Sequence, residues 1–145
     1  MQVLYAHGLM LPALALILWS LVIWAWMVPT RLAAMSAAKL PAREGAHTDA
    51  LAEKLPSGVR AISDNYNHLM EQPTLFYAAC VIAEVIGEAD ALNIGLAWGY
   101  VAIRVVHSLI QNLGNSVPLR FYAFVASTLV LAVLAVRTLV ALLGQ

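Results

Sequence analysis

The chain has 145 residues, 62% of them hydrophobic and 11% charged, with a formal net charge of zero and a mean hydropathy of +0.80. A soluble domain carries about 25% charged residues, and one of this length has too little interior to hide so much apolar surface. These figures exclude a soluble enzyme, and the absence of any basic tract or aromatic–basic interleaving excludes a nucleic-acid partner.

The first predicted helix covers about residues 5–30. Its uncharged stretch from Leu9 to Val28 has the roughly 20 residues that cross a ~30 Å hydrocarbon layer. Trp19, Trp24 and Trp26 lie in its second half, as an interfacial belt would. No Lys or Arg precedes Arg31, so the segment reads as a retained helix and not as a secretory leader. Pro29 predicts a break. Residues 31–58 then form a polar loop punctuated by Pro41, Gly45, Pro56 and Gly58, with room for an amphipathic turn.

The second helix is predicted over 59–87, polar in its first half and apolar from Thr74 to Ala83. A short acidic turn leads to a third helix over 91–113. Gly114 to Pro118 is a second turn, and a fourth helix follows over 118–143, with Pro118 in its first turn and Arg137 placed to snorkel. The expectation is an all-α membrane protein of four transmembrane helices, a single domain over residues 1–145. Five of the eight Lys and Arg residues lie between Arg31 and Arg60, whereas the second loop holds Glu88 and Asp90. The positive-inside rule then puts loop 31–58 in the cytoplasm and both termini outside it.

Charged groups inside a span cost several kcal/mol unless paired or hydrated, so they direct attention to sites. Asp64, Asn67, His68 and Glu71 share one face of the second helix, and Tyr100, Arg104, His107 and Gln111 share one face of the third. Both stripes are expected to face protein. Glu71 lies about 16 Å, and Arg104 about 14 Å, from the cytoplasmic end at ~1.5 Å per residue, which makes a Glu71–Arg104 pair feasible. That pair reads equally well as a structural ion bridge or as part of a ligand site. Arg120 opens onto the same side and, with Arg104, leaves more positive charge than Glu71 offsets, as an anionic ligand requires.

Other polar residues have plainer expectations. His107 reads as a neutral histidine bonded across helices, His7 and His47 as surface residues, and Glu84 as reaching water. Trp98 and Tyr100 read as packing or anchoring groups, and the single cysteine, Cys80, as buried packing. No metal ligand set is assigned. Haem ligation by His68 and His107 is the weaker third class.

The string Asn65-Tyr66-Asn67-His68-Leu69-Met70-Glu71-Gln72-Pro73-Thr74-Leu75-Phe76-Tyr77 resembles the signature of the MAPEG family, the membrane-associated proteins in eicosanoid and glutathione metabolism. Trp98, Tyr100, Val101, Arg104 and His107 are similar to that family's third-helix pattern, and Arg120-Phe121 to the start of its fourth. The chain departs from the pattern at His68, where the family places Asn, at Asp64, where glutathione-using members tend to place arginine, and at Gln111, where the family has tyrosine.

The resemblance, of bacterial type, implies a left-handed four-helix bundle assembled as a homotrimer in a bacterial inner membrane, among membrane lipids. It implies glutathione as co-substrate, bound between subunits near the cytoplasmic side, and a hydrophobic small molecule as the electrophile. By position, Arg120 matches the catalytic, thiolate-stabilising arginine. Asn67, His68, Glu71, Arg104, His107 and Gln111 become candidate ligand-binding residues. Two functions stand side by side: a glutathione-dependent transferase or peroxidase, or a non-catalytic module of the same kind that binds a lipid or a partner protein.

Overall fold

Apolar periodicity in this chain resolves entirely into helices. The computed structural model describes residues 8–46 and 48–144, and no strand occurs among them. His7, His47 and the predicted start of the first helix at residues 5–7 lie outside the described residues.

Helix α1 runs from Met10 to Ala37, a 3-10 turn from Ala42 to Ala46, and the short α2 from Thr48 to Glu53. Helix α3 spans Ser57–Glu71, α4 Pro73–Val85, α5 Ala91–Leu113 and α6 Val117–Leu143. Contrary to the expected break, α1 continues through Pro29. Proline deletes only one rung of the ladder, the Thr30 hydroxyl donates to the carbonyls of Trp26 and Met27 at 2.9 Å each, and the Ala-rich sequence that follows favours helix. The helix stops where Lys39 turns left-handed (φ 53°) and the Leu40 N–H returns to the Met35 carbonyl at 3.0 Å.

The second predicted helix is divided. Pro73 opens α4 without an N–H, while Gln72 keeps helical dihedrals (φ −59°, ψ −37°), so the interruption lies in the hydrogen-bond ladder. Among the described residues three helices, α1, α5 and α6, are long and apolar enough to cross a membrane. Helix α4 has 13 residues, about 20 Å of rise, short of a ~30 Å layer unless α3 extends it.

Helix α5 is the hub. It packs most extensively on α6 and also meets α1 and α3, while α4 bridges α1 and α6. The core is built from Leu9, Leu16 and Ile23 at heptad spacing, from Phe76, Cys80 and Ala83, from Ala97 and Tyr100, and from Leu131 and Leu134. Phe76 and Tyr100 stack with ring centroids 4.4 Å apart. Leu18, Leu21, Leu129 and Val136 are among the large apolar side chains left on the outside, a surface suited to lipid.

Polar contacts pin the end of the bundle remote from α2. Glu84, expected to reach water, accepts from the Leu9 N–H at 2.7 Å and so caps α1 from another helix. A Cβ at Gly8 (φ +53°) would fall onto that carboxylate, so the close approach requires glycine. Gly87 (φ 82°) closes α4, with the Glu88 N–H donating to the Ala83 carbonyl at 2.8 Å. Arg137, expected to snorkel, is half-buried and held at the helix end by two partners: Nε donates to Asn93 Oδ1 at 2.8 Å and Nη2 to Asp90 Oδ2 at 2.7 Å. Asp90 also caps α5 by accepting from the Asn93 N–H at 2.7 Å.

Two outcomes follow for stability in detergent. Asp90→Ala removes a cap and a salt-bridge partner together, and should cost about 1–2 kcal/mol, seen as a lower thermal midpoint. Asp90→Asn keeps the cap and should cost less; equal losses would show that the cap contributes nothing. Glu84→Ala should speed amide exchange at the start of α1, and unchanged exchange there would remove the capping role.

Candidate functional site

The polar stripe of α5 is buried, as its period requires. Tyr100, Arg104, His107 and Gln111 all lie inside, Arg104 with 1% of its surface exposed. The α3 stripe does not follow. Asp64, Asn67 and Glu71 are exposed and His68 is half-buried, because the inward face of α3 is Ala61, Ile62, Asn65 and Leu69.

That phase removes the expected Glu71–Arg104 pair. The Glu71 side chain is 69% exposed, and its ion-pair partner among the described residues is His68, Nδ1 to Oε2 at 3.4 Å one turn away. Arg104 has no ion-pair partner among the described residues. Its Nη2 donates to the His68 carbonyl at 3.1 Å, and the guanidinium lies 5.8 Å from the Tyr100 ring centroid and 5.6 Å from that of Phe124. Its Nε and Nη1 are buried without a hydrogen-bond partner of good geometry. Aromatic faces on two sides supply part of the stabilisation that a carboxylate would otherwise give.

Beside this guanidinium, a cavity of about 220 Å³ is lined by His68, His107, Val117, Arg120, Phe121 and Phe124. The His68 and His107 rings meet edge to face with centroids 6.2 Å apart. Arg120 is half-buried and oriented by its Nη1 donating to Asn115 Oδ1 at 2.8 Å. No carboxylate lines the cavity. Its chemistry is that of an electropositive, partly apolar pocket.

The remaining candidates lie elsewhere. Asn67 lines a different cavity of about 210 Å³ with Arg31, Arg60 and Asp64, between α1, α2 and α3. Gln111, fully buried, borders a third. The structure therefore gathers His68, His107 and Arg120 with Arg104 behind them, leaves Glu71 exposed beside His68, and separates Asn67 and Gln111.

Several polar residues escaped the sequence reading. Asn65 is fully buried with both amide atoms unpartnered. Gln72 joins three helices, its Nε2 donating to Thr128 Oγ1 at 2.8 Å and its Oε1 accepting from the Tyr100 hydroxyl at 3.4 Å. Counting back from Phe76 in helical steps gives Gln72, Leu69 and Asn65, so the apolar half of this segment held the signal. Phe124 was visible as the residue one turn after Arg120. Arg31 and Arg60 had been weighed for orientation alone.

The pattern that defines the MAPEG family matches residues 9–140, nearly the whole chain. Comparison with curated proteins and with solved structures yields no match. The family match takes in α1 to α5 and most of α6, and its members include glutathione-dependent transferases and peroxidases. With three helices of spanning length and apolarity, the chain is an integral membrane protein. It belongs to the MAPEG family.

Proposed function

We propose that this protein is a glutathione-dependent transferase or peroxidase acting on hydrophobic electrophiles. The observation that carries the reading is the pocket of His68, His107 and Arg120, backed by a buried Arg104 that lacks a carboxylate partner. A buried unpaired cation is expensive, and an anionic ligand offsets that expense. The second electropositive cavity, with Arg31 and Arg60, offers a place for a peptide carboxylate.

In this reading Arg120 is the catalytic residue. A cysteine thiol titrates near pH ~8.5, and a guanidinium beside it holds more of it as thiolate at neutral pH. The thiolate sulfur then attacks the electrophile, forming a bond to sulfur as the leaving group departs with its electron pair. Oriented by Asn115, Arg120 faces the pocket and has no competing carboxylate. An apolar groove of about 510 Å³ between α4 and α6, bordered by Leu75, Ile82, Leu131 and Leu139, offers a surface on which a hydrophobic substrate can rest.

The same reading makes α3 and α4 together the second of four spans, puts the α1–α3 connection in the cytoplasm of a bacterial cell and the termini on the far side of its inner membrane, and assembles the chain as a homotrimer. The exposed face of α3 supports assembly, because Asp64, Asn67 and Glu71 border apolar helices and are better covered by a second subunit than by acyl chains. The alternative, a non-catalytic module holding a lipid or a partner protein, draws on Asp64, whose negative charge enters the cavity of Arg31 and Arg60.

Calorimetry with glutathione on the detergent-purified protein tests the first reading. Saturable binding is expected, weakened at least tenfold (about 1.4 kcal/mol) by Arg120→Ala with the thermal midpoint unchanged. No binding at millimolar glutathione would leave the non-catalytic module. Native mass spectrometry should give three copies per particle, and a monomer would refute the trimer.

A further inference from the structure

The cavity that Gln111 borders, about 220 Å³ in volume, lies between the first turn of α3 and the last turn of α5. It is separate from the pocket of His68, His107 and Arg120. Gln111 is fully buried, yet neither Nε2 nor Oε1 has a hydrogen-bond partner. The same holds for both amide atoms of the neighbouring Asn112, which also lines the cavity. An unpaired buried amide is destabilising, because it has given up its hydrogen bonds to water and gained none in return. Two of them side by side at one cavity point to an occupant that both donates and accepts.

The start of α3 supplies the rest. Ser57 and Gly58 border the same cavity, no side chain caps this helix, and its first turn holds no acidic residue. Helix α3 is 15 residues long, so its first N–H groups carry the positive end of a full helix dipole. A Cβ at Gly58 would meet no atom within 4 Å, so the approach to these groups is open. Asn115, held by Arg120 at 2.8 Å, closes the far side. No charged side chain lines the cavity.

We propose that this cavity binds a singly charged phosphate group, its oxygens taking the N–H groups of the α3 first turn and the amide N–H groups of Gln111 and Asn112. Backbone N–H groups at a helix start are well suited to phosphate oxygens. A neutral lining favours the singly over the doubly charged form, and the amide oxygens of Gln111 and Asn112 call for a donor on the same ligand. Dihydrogen phosphate provides that donor as its own hydroxyl, and a phospholipid headgroup provides it as an ammonium. The site shares no lining residue with the glutathione pocket, although the Asn115–Arg120 hydrogen bond joins the two.

The test uses the full chain in maltoside detergent, with inorganic phosphate titrated against chloride at matched ionic strength. The variants are Ser57→Asp, whose carboxylate occupies the helix start itself, and Asn112→Ala. An unchanged thermal midpoint and helical circular-dichroism spectrum in Ser57→Asp confirm that this variant is folded. Saturable phosphate binding, weakened at least tenfold by both substitutions, supports a site for free phosphate. Native mass spectrometry after reconstitution in phosphatidylethanolamine–phosphatidylglycerol vesicles tests the other source: phospholipid retained by the native chain and lost from Ser57→Asp supports a headgroup site. Absence of both, or binding that Ser57→Asp leaves unchanged, overturns the proposal and assigns the two amides to trapped water.

Discussion

The guanidinium that α5 carries into the interior, with no carboxylate partner among the described residues, is the constraint on which this structure turns. Arg104 cannot leave the interior, because α5 is surrounded by α1, α3 and α6. It is held by a backbone carbonyl of α3 and by the faces of two aromatic rings. The contact to His68 ties α3 to α5 at the level of the electropositive pocket. The Phe124 contact brings α6 to the same point. Around that one charge, three helices acquire their relative positions, and His68, His107 and Arg120 come together.

The bundle has a contrasting design at its two ends. Away from α2, polar groups are paired: Glu84 with the start of α1, and Arg137 with Asp90 and Asn93. At the α2 end, Asn65, Gln111, Asn112 and two nitrogens of Arg104 are buried without partners. Tyr77 Oη and Trp98 Nε1 are buried without a partner in the other half as well, but the unpartnered amides and guanidinium nitrogens gather toward α2, where each gains when a ligand arrives. Gln72 marks the boundary, linking Tyr100 and Thr128 where Pro73 interrupts the ladder.

Much of this was legible in the residues. The helical class, the turns at Gly87 and at Asn115 and the burial of the α5 stripe all follow from period and from turn chemistry. The family resemblance was legible too, since its motifs occur in order on the expected helices. The continuation of α1 past Pro29 was not, because one missing hydrogen bond weighs less than the helix-favouring residues after it. Nor were the partners of Arg137: snorkelling and pairing look alike until the position of Asp90 is known.

The sequence by itself determined which residues share a helix face, because 3.6 residues per turn leaves no choice once a segment is helical. It therefore determined that Tyr100, Arg104, His107 and Gln111 stand in one line, and that Asp64, Asn67, His68 and Glu71 stand in another. Only the tertiary structure decided that the first line turns inward and the second mostly outward. Helix α3 has one mainly apolar face, Ala61, Ile62 and Leu69, and packing of that face on α1 and α5 leaves Asp64, Asn67 and Glu71 outside. Continuity with Phe76 and Cys80 in α4, whose burial is not negotiable, sets the rotation of the segment and carries Asn65 inside in place of Glu71.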